Sequence, residues 1–345
     1  MKTGLVGYRG AGKSTLFRWL TGTVPDPALA HTDQMAMCPI PDSRMEQLCN
    51  IYHPKKVTYA AMEIADTPGL TRSHEGNAAR LGLIREAGCL VLVVAAFQGS
   101  DPRADLRSFD EDLILADMEI VAGRLERLEE SFNKKPHSKL EREQQEIEVE
   151  SLRSVLSALE AGNPLQIGQM DDEQVKATRA FRLLTEKPKM VIVNTADDEA
   201  QPARFTEGFP AGLTVIPIPV GLEMELSQMS PEDRADFEKE MGVGGTDRDQ
   251  VIRTILSVSG QSTFLTAGEK EVRTWLLRQG GTALEAADSI HSDLARGFIR
   301  AEITPCADLV RLGSEREVKA HHLVRQEPKD YVIQDGDILL IRFSV

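Results

Sequence analysis

Apolar residues come in short unbroken runs in two parts of this chain. Cys89-Leu90-Val91-Leu92-Val93-Val94-Ala95 and Met190-Val191-Ile192-Val193 show no polar alternation. That pattern predicts parallel strands covered on both faces. Thr3-Gly4-Leu5-Val6, the segment Tyr59–Asp66 and Leu213–Ile218 read as further strands of the same kind. Ser43–Ile51 has helical spacing, with Met45, Leu48 and Cys49 on one face, while the rest of 21–60 reads as irregular.

From about residue 110 the period changes. Ile114, Met118, Val121, Leu125, Leu128 and Phe132 recur at steps of 4, 3, 4, 3 and 4, a heptad seam. Asn133-Lys134-Lys135-Pro136 breaks the seam. It resumes over Leu140–Leu159 with Ile147, Leu152, Val155, Leu156 and Leu159, which predicts a coiled-coil-like helical hairpin. Asp171–Leu184 reads as another amphipathic helix, and Asp249–Val258 as a helix that closes the α/β region. Beyond it, Val272–Leu277 and Phe298–Ile303 are strand-like, and Thr282–Ser292 is a helix with Thr282 as its N-cap. Val332–Phe343 reads as two strands around the turn Asp335-Gly336-Asp337. The expected fold class is α/β: a mostly parallel domain over 1–110 plus 187–260, an inserted helical domain over 111–186, and a β-grasp domain over 261–345.

Composition bounds the function. The chain has 345 residues, 41% apolar and 27% charged, the profile of a soluble globular protein. It has no apolar run of bilayer-spanning length and no signal-peptide pattern, so no membrane partner is expected. Cys38, Cys49, Cys89 and Cys306 are scattered, as suits thiols in a reducing cytoplasm. The net charge of −14 argues against wrapping bulk nucleic acid. The last unit is closer to charge balance, which makes it the better RNA or ribosome candidate. His321 and His322 have no ligand partner at metal spacing and read as surface residues.

The chemistry sits at strand ends. Gly7-Tyr8-Arg9-Gly10-Ala11-Gly12-Lys13-Ser14-Thr15 fits G-x-x-x-x-G-K-[ST] between a strand and a helix. Glycines let backbone N–H groups turn inward on a phosphate, and the helix N-terminus adds partial positive charge. Lys13 is expected on the β- and γ-phosphates and Ser14 on Mg²⁺. Asp66-Thr67-Pro68-Gly69 ends the next strand: Asp66 suits Mg²⁺, directly or through water, and the Gly69 N–H suits the γ-phosphate. Thr32, in the loop after the first helix, is the candidate for a second Mg²⁺ contact. Asn194-Thr195-Ala196-Asp197 ends another strand and fits N-x-x-D. Its aspartate accepts from the paired donors on guanine, and adenine lacks that pair. Leu70 stands where Ras-like proteins place a water-orienting glutamine, so low intrinsic hydrolysis is expected.

The whole chain resembles the YchF-type, Obg-related P-loop NTPases. The resemblance is carried by the P-loop, Pro41-Asp42-Ser43-Arg44, Glu75-Gly76-Asn77 and the inserted coiled coil. It extends through the C-terminal strings Phe264–Gly268, Glu271–Trp275, Ile290–Asp293, Gly297–Glu302, Lys329-Asp330-Tyr331 and Asp335-Gly336-Asp337, which look like that family's TGS domain. It implies a cytoplasmic, Mg²⁺-dependent nucleotide hydrolase that associates with ribosomes, with Leu70 in the catalytic glutamine's place. Three departures matter. Gly10 replaces an asparagine associated with potassium, and Asp197 replaces a glutamate linked to accepting ATP. Pro219-Val220-Gly221 alters the last base loop, leaving Leu222 as its carried-over contact. The resemblance points to ATP or both nucleotides, the local chemistry to GTP. Two other readings stand beside the switch: a non-hydrolysing scaffold and a P-loop metabolite kinase.

Overall fold

The computed structural model describes residues 2–73, 76–134, 138–162, 165, 170–199, 201–241 and 245–344. Strand β1 (Lys2–Val6) feeds the glycine loop and helix α1 (Lys13–Thr21) leaves it. Then follow β2 (Gln34–Pro39), α2 (Arg44–Tyr52), β3 (Val57–Thr58), β4 (Ala61–Asp66), α3 (Asn77–Ile84) and β5 (Cys89–Ala96). Helices α4 (Pro102–Lys134), α5 (Lys139–Glu160) and α6 (Asp172–Thr178) come next. They precede β6 (Lys189–Thr195), β7 (Val215–Ile218), α7 (Val220–Leu226), α8 (Pro231–Met241) and α9 (Arg248–Val258). The last stretch runs β8 (Gln261–Thr266), β9 (Val272–Arg278), α10 (Ala283–Ile290), α11 (Ser292–Arg296) and β10 (Phe298–Pro305). It ends with α12 (Cys306–Leu312), α13 (Glu315–Ala320), β11 (Arg325–Glu327) and β12 (Asp337–Phe343). Two compact units result: Met1–Ala36 with Glu63–Thr246, and Met37–Met62 with Asp247–Val345.

The first unit is built on a sheet of order β2-β4-β1-β5-β6-β7. From β4 to β7 neighbouring strands are parallel, with Leu5 opposite Asp66 and Ala95 opposite Asn194. This register brings the glycine loop, Asp66 and Asn194 to the C-terminal edge of the sheet, where open α/β sheets bind their ligands. The apolar runs of β5 and β6 are buried almost throughout, as their lack of alternation predicts.

Helix α4 serves two cores. Its early turns place Leu106, Phe109 and Leu113 against Leu90, Leu92 and Val94 of the sheet. Further along, Val121, Leu125 and Leu128 pack with Leu152, Val155 and Leu159 of α5. Between the two lies Asp117, fully buried and fully paired. It accepts from Arg85 (2.7 Å), from the backbone N–H of Leu184 and Thr185, and from the Thr185 hydroxyl. A buried carboxylate held this way fixes where the chain returns to the sheet.

Several boundaries differ from expectation. The region 21–60 contains β2, an edge strand with Met35 and Met37 exposed, whose apolar run Met35–Cys38 holds no β-branched or aromatic residue to mark it as a strand. Helix α4 starts at Pro102, because its first face packs on the sheet rather than in a heptad seam. Leu140 and Ile147 of α5 are exposed. The helix expected over Asp171–Leu184 stops at Thr178, and Arg182 turns left-handed (φ 49°) so that Leu183 and Leu184 enter two different cores. Glu75, Lys135, Pro136 and the Phe132 side chain lie outside the described residues.

The second unit is a mixed sheet of order β11-β10-β12-β8-β9-β3. Strand β12 pairs parallel with β8 and antiparallel with β10. Helix α10 covers it with Ala283, Ala286 and Ala287 against Phe264, Ile303 and Leu339. Its N-terminus is the expected one: Thr282 and Glu285 form a reciprocal capping box. Helix α2 belongs here too, packing Met45 and Leu48 against Leu265, Val272 and Leu309. The hairpin expected around Asp335-Gly336-Asp337 is absent from the described residues. The buried Asp337 carboxylate accepts from the Gln334 N–H and the Tyr331 hydroxyl, which turns the preceding chain off the ladder. His321 and His322 are exposed. No helix among the described residues is long and apolar enough to cross a membrane.

Candidate functional site

Strand β1 ends in the glycine loop, and the loop closes on its own lysine. The buried Lys13 ammonium donates to the Tyr8 carbonyl at 3.0 Å and the Gly7 carbonyl at 3.3 Å. Burial lowers its pKa to about 8; Asp66 pulls it up and Arg9 pushes it further down. A desolvated ammonium within an incomplete ring of acceptors favours an arriving polyanion. Gly12 caps α1 at φ 99°, and a Cβ there would sit 2.2 Å from Nδ2 of Asn194. Only glycine meets both demands.

At the neighbouring strand end, Ser14 donates to Oδ2 of Asp66 at 2.5 Å. The Thr67 hydroxyl fastens the same turn to the Leu5 carbonyl at 2.7 Å. Asp66 is buried, and its other oxygen, Oδ1, has no hydrogen-bond partner among the described residues. Burial raises its pKa, opposed by the Ser14 hydrogen bond and by Lys13, with Asp33 adding to the rise. A hydroxyl and a carboxylate with an unmet oxygen form a hard-oxygen donor set, which fits Mg²⁺. Arg9, Lys13, Ser14, Thr32, Asp66 and Gly69 all line one cavity of 490 Å³.

The sequence-predicted residues divide by place. Gly10 also lines this cavity; Gly7, Ala11, Gly12 and Thr15 are not among its lining residues. Thr32 is on the cavity wall, but its hydroxyl donates to the Leu29 carbonyl at 3.0 Å within its own loop. Gly69 is pressed close to the loop: a Cβ there would lie 2.8 Å from Nζ of Lys13. Leu70 is fully buried in the core beside Val6, Tyr8 and Leu81, away from the cavity lining. Its backbone is what touches the loop, donating to Gly7 and accepting from Arg9 at 3.0 and 3.1 Å.

The N-x-x-D motif acts as a brace. Asn194 donates to the Ala11 carbonyl at 3.0 Å and accepts from the Val220 N–H at 3.1 Å. Asp197, exposed, accepts from the Leu222 N–H at 2.9 Å. Both residues therefore satisfy free N–H groups in the first turn of α7. The segment at Val220–Glu223, expected as a loop, is that turn. Leu222 is buried and lies outside the phosphate cavity lining.

Sequence reading missed the support behind the loop. The Tyr8 hydroxyl donates to Asp112, and Arg72 forks Asp105 while lying 5.2 Å over the Tyr8 ring. The available signal was two acidic residues seven apart on a face otherwise made of Leu106, Phe109 and Leu113. A larger cavity of 750 Å³ lies among α4, α5 and α6, lined by Arg124, Ile147, Lys176 and Phe181 among others. Among the described residues its lining includes no glycine loop and no strand end, so size alone does not mark the site.

Comparison with known proteins points the same way. A family model described as "50S ribosome-binding GTPase" matches residues 2–123. Another, of the YchF GTPase C-terminal region and described as "Protein of unknown function (DUF933)", matches residues 262–344. "Ribosome-binding ATPase YchF" of Bacillus subtilis is 32% identical over 370 aligned positions spanning 100% of both chains. "Obg-like ATPase 1" of Oryza sativa subsp. japonica is 33% identical, across 100% of this chain and 92% of the relative. The solved structure of the Schizosaccharomyces pombe YchF GTPase superposes with a TM-score of 0.84 at 26% identity, covering 99% of this chain and 97% of that one. The likeness takes in the P-loop domain, the helical insertion and the C-terminal domain alike.

Proposed function

The chain belongs to the YchF family, and from that premise we propose that it is a Mg²⁺-dependent purine nucleoside triphosphatase with low intrinsic turnover, acting in the cytoplasm as a ribosome-associated switch. One observation carries this most: Lys13, Ser14, Asp66 and Gly69 share one cavity, with the buried Oδ1 of Asp66 unpaired beside the Ser14 hydroxyl. In this reading Lys13 exchanges its two carbonyl acceptors for phosphate oxygens. Ser14 and Asp66 would hold Mg²⁺, with Thr32 as the candidate further hydroxyl on the same cavity wall. Mg²⁺ supplies charge neutralisation on the phosphates. The Gly69 N–H faces the γ-phosphate, and Leu70 acts through its backbone, positioning Gly7 and Arg9. Asn194 holds the loop to α7, and Asp197 with Leu222 forms the base-contacting edge.

Guanine is modestly favoured because Asp197 keeps an accepting carboxylate at the position that reads the base. ATP enters through the names of the relatives, as does the ribosome. The C-terminal unit, TGS-like in sequence, is the surface we assign to ribosomal RNA. The division into a P-loop domain, an inserted helical domain over 111–186 and a C-terminal domain from 261 belongs to the same proposal. One second reading has an observation behind it. The buried Leu70 brings no hydrogen-bonding group to the cavity, which favours a scaffold that keeps nucleotide for structure.

Equilibrium titration of Mg²⁺-bound GTP and ATP analogues against the wild type and Asp197→Glu tests the base assignment. Tighter GTP binding by the wild type, with the preference reduced in Asp197→Glu, is expected. Equal affinity for both bases in the wild type would remove the guanine preference.

A further inference from the structure

One charged group in the cavity wall has no task in the reading above. Arg9 is the one arginine among the cavity's described lining residues, and it is exposed. Its guanidinium makes no hydrogen bond or ion pair among the described residues. Arg72, the arginine that follows the D-T-P-G turn, is already committed to Asp105. Arg9 has the opposite arrangement, a fixed backbone with a free arm. Its N–H donates to the Leu70 carbonyl at 3.1 Å, and the Leu70 N–H donates back to Gly7 at 3.0 Å. A Cβ on Gly69 would come within 2.9 Å of the Arg9 nitrogen, so the two backbones touch. Arg9 and Lys13 line the same cavity. Two cationic side chains lining one cavity favour an anion between them.

Phosphoryl transfer needs charge neutralisation more than covalent help. As the γ-phosphoryl group leaves, negative charge moves onto its equatorial oxygens and the β–γ bridging oxygen. A planar guanidinium with five donors meets that charge better than an ammonium. Leu70 offers no such group.

We propose that Arg9 is a catalytic residue of the hydrolysis, supplied in cis from the glycine loop to the transferring phosphoryl group. The water oxygen forms the new bond to the γ-phosphorus, and the bond from that phosphorus to the bridging oxygen breaks. The electron pair stays on the β-phosphate, where Arg9 and Lys13 neutralise it. One proton of the water remains on the inorganic phosphate and the other passes to solvent. This rests on the reading of the cavity as a nucleotide-hydrolysis site.

The test uses the full chain as wild type, Arg9→Ala and Arg9→Lys. It measures single-turnover phosphate release, affinity for a non-hydrolysable triphosphate analogue, and trapping of the diphosphate with aluminium fluoride. Arg9→Ala is expected to slow release on the order of 10³-fold. It should keep analogue affinity and lose the aluminium fluoride complex, with Arg9→Lys in between. Arg9→Ala hydrolysing at the wild-type rate overturns the assignment while leaving the hydrolase reading in place. So does a loss of analogue affinity that matches the loss of rate, because Arg9 would then act in ground-state binding. A wild type that binds nucleotide and releases no phosphate overturns the hydrolase reading itself, and Arg9's role with it.

Discussion

The Tyr8 hydroxyl donates to Oδ2 of Asp112 at 3.0 Å, joining the glycine loop to helix α4 across 104 positions of sequence. Arg72 closes the same cluster from the segment after Gly69, through its fork on Asp105 and its place over the Tyr8 ring. The loop and the turn that faces it are thus both fastened to the helix that continues into the hairpin. A hydrogen bond to a charged acceptor contributes about 1.5–3 kcal/mol. Tyr8→Phe should therefore lower unfolding free energy by about that amount in chemical denaturation. Arg72→Ala should cost about 1 kcal/mol or less, because the Arg72 side chain is 61% exposed. Equal losses from the two variants would contradict this ranking.

Asn194 is the second point of support. It is buried, and both ends of its amide are used, one on Ala11 and one on Val220. Asn194→Ala leaves the Val220 N–H without its acceptor, and an unpaired buried group costs about 1–3 kcal/mol. Stability should fall by that amount, and affinity for GTP and ATP should fall together, because the defect is in the loop and not at the base. A selective loss of GTP binding would instead make Asn194 a base-reading residue.

Lys13 sets a pH limit on binding. Its pKa is lowered to about 8 by burial, so in the free site the ammonium is charged below that pH and neutral above it. Attraction for the phosphates is fully present on the acid side and is lost as pH rises through about 8. Bound phosphates raise the pKa again, so binding near pH 8.5 takes up a proton. Dissociation constants measured between pH 7 and 9.5 should rise above pH 8 by up to about tenfold per unit. Calorimetry in two buffers of different ionisation enthalpy should show the proton uptake. Lys13→Ala should bind weakly with a flat profile over the same range, and a flat wild-type profile would contradict the assignment.

The parts of the site that the sequence makes legible are those set by short-range geometry. Gly12, Lys13 and Ser14 are constrained by a loop of nine residues, and Asp66 by the end of one strand, so spacing alone brings them together. Asn194 and Asp197 are legible as a motif, but the backbone groups they brace are not. Their partners are backbone groups of Ala11, Val220 and Leu222, and spacing carries no record of a backbone acceptor 183 positions away. That Leu70 brings no hydrogen-bonding side chain follows from its residue type alone. Its burial depends on Leu81 and Phe109, which reach it only after folding. Strand β2 escaped because its short run Met35–Cys38 holds no β-branched or aromatic residue, and the start of α4 because its first face answers to the sheet rather than to the heptad.

A ribosome-associated switch requires that nucleotide state control association with the ribosome. Co-sedimentation of the purified chain with ribosomes, in Mg²⁺ with a triphosphate analogue, with diphosphate and without nucleotide, tests it most directly. The triphosphate and diphosphate forms should differ in the fraction pelleted, and Lys13→Ala should abolish the difference. Equal pelleting in all three states, unchanged by Lys13→Ala, would contradict the switch and leave the scaffold in its place.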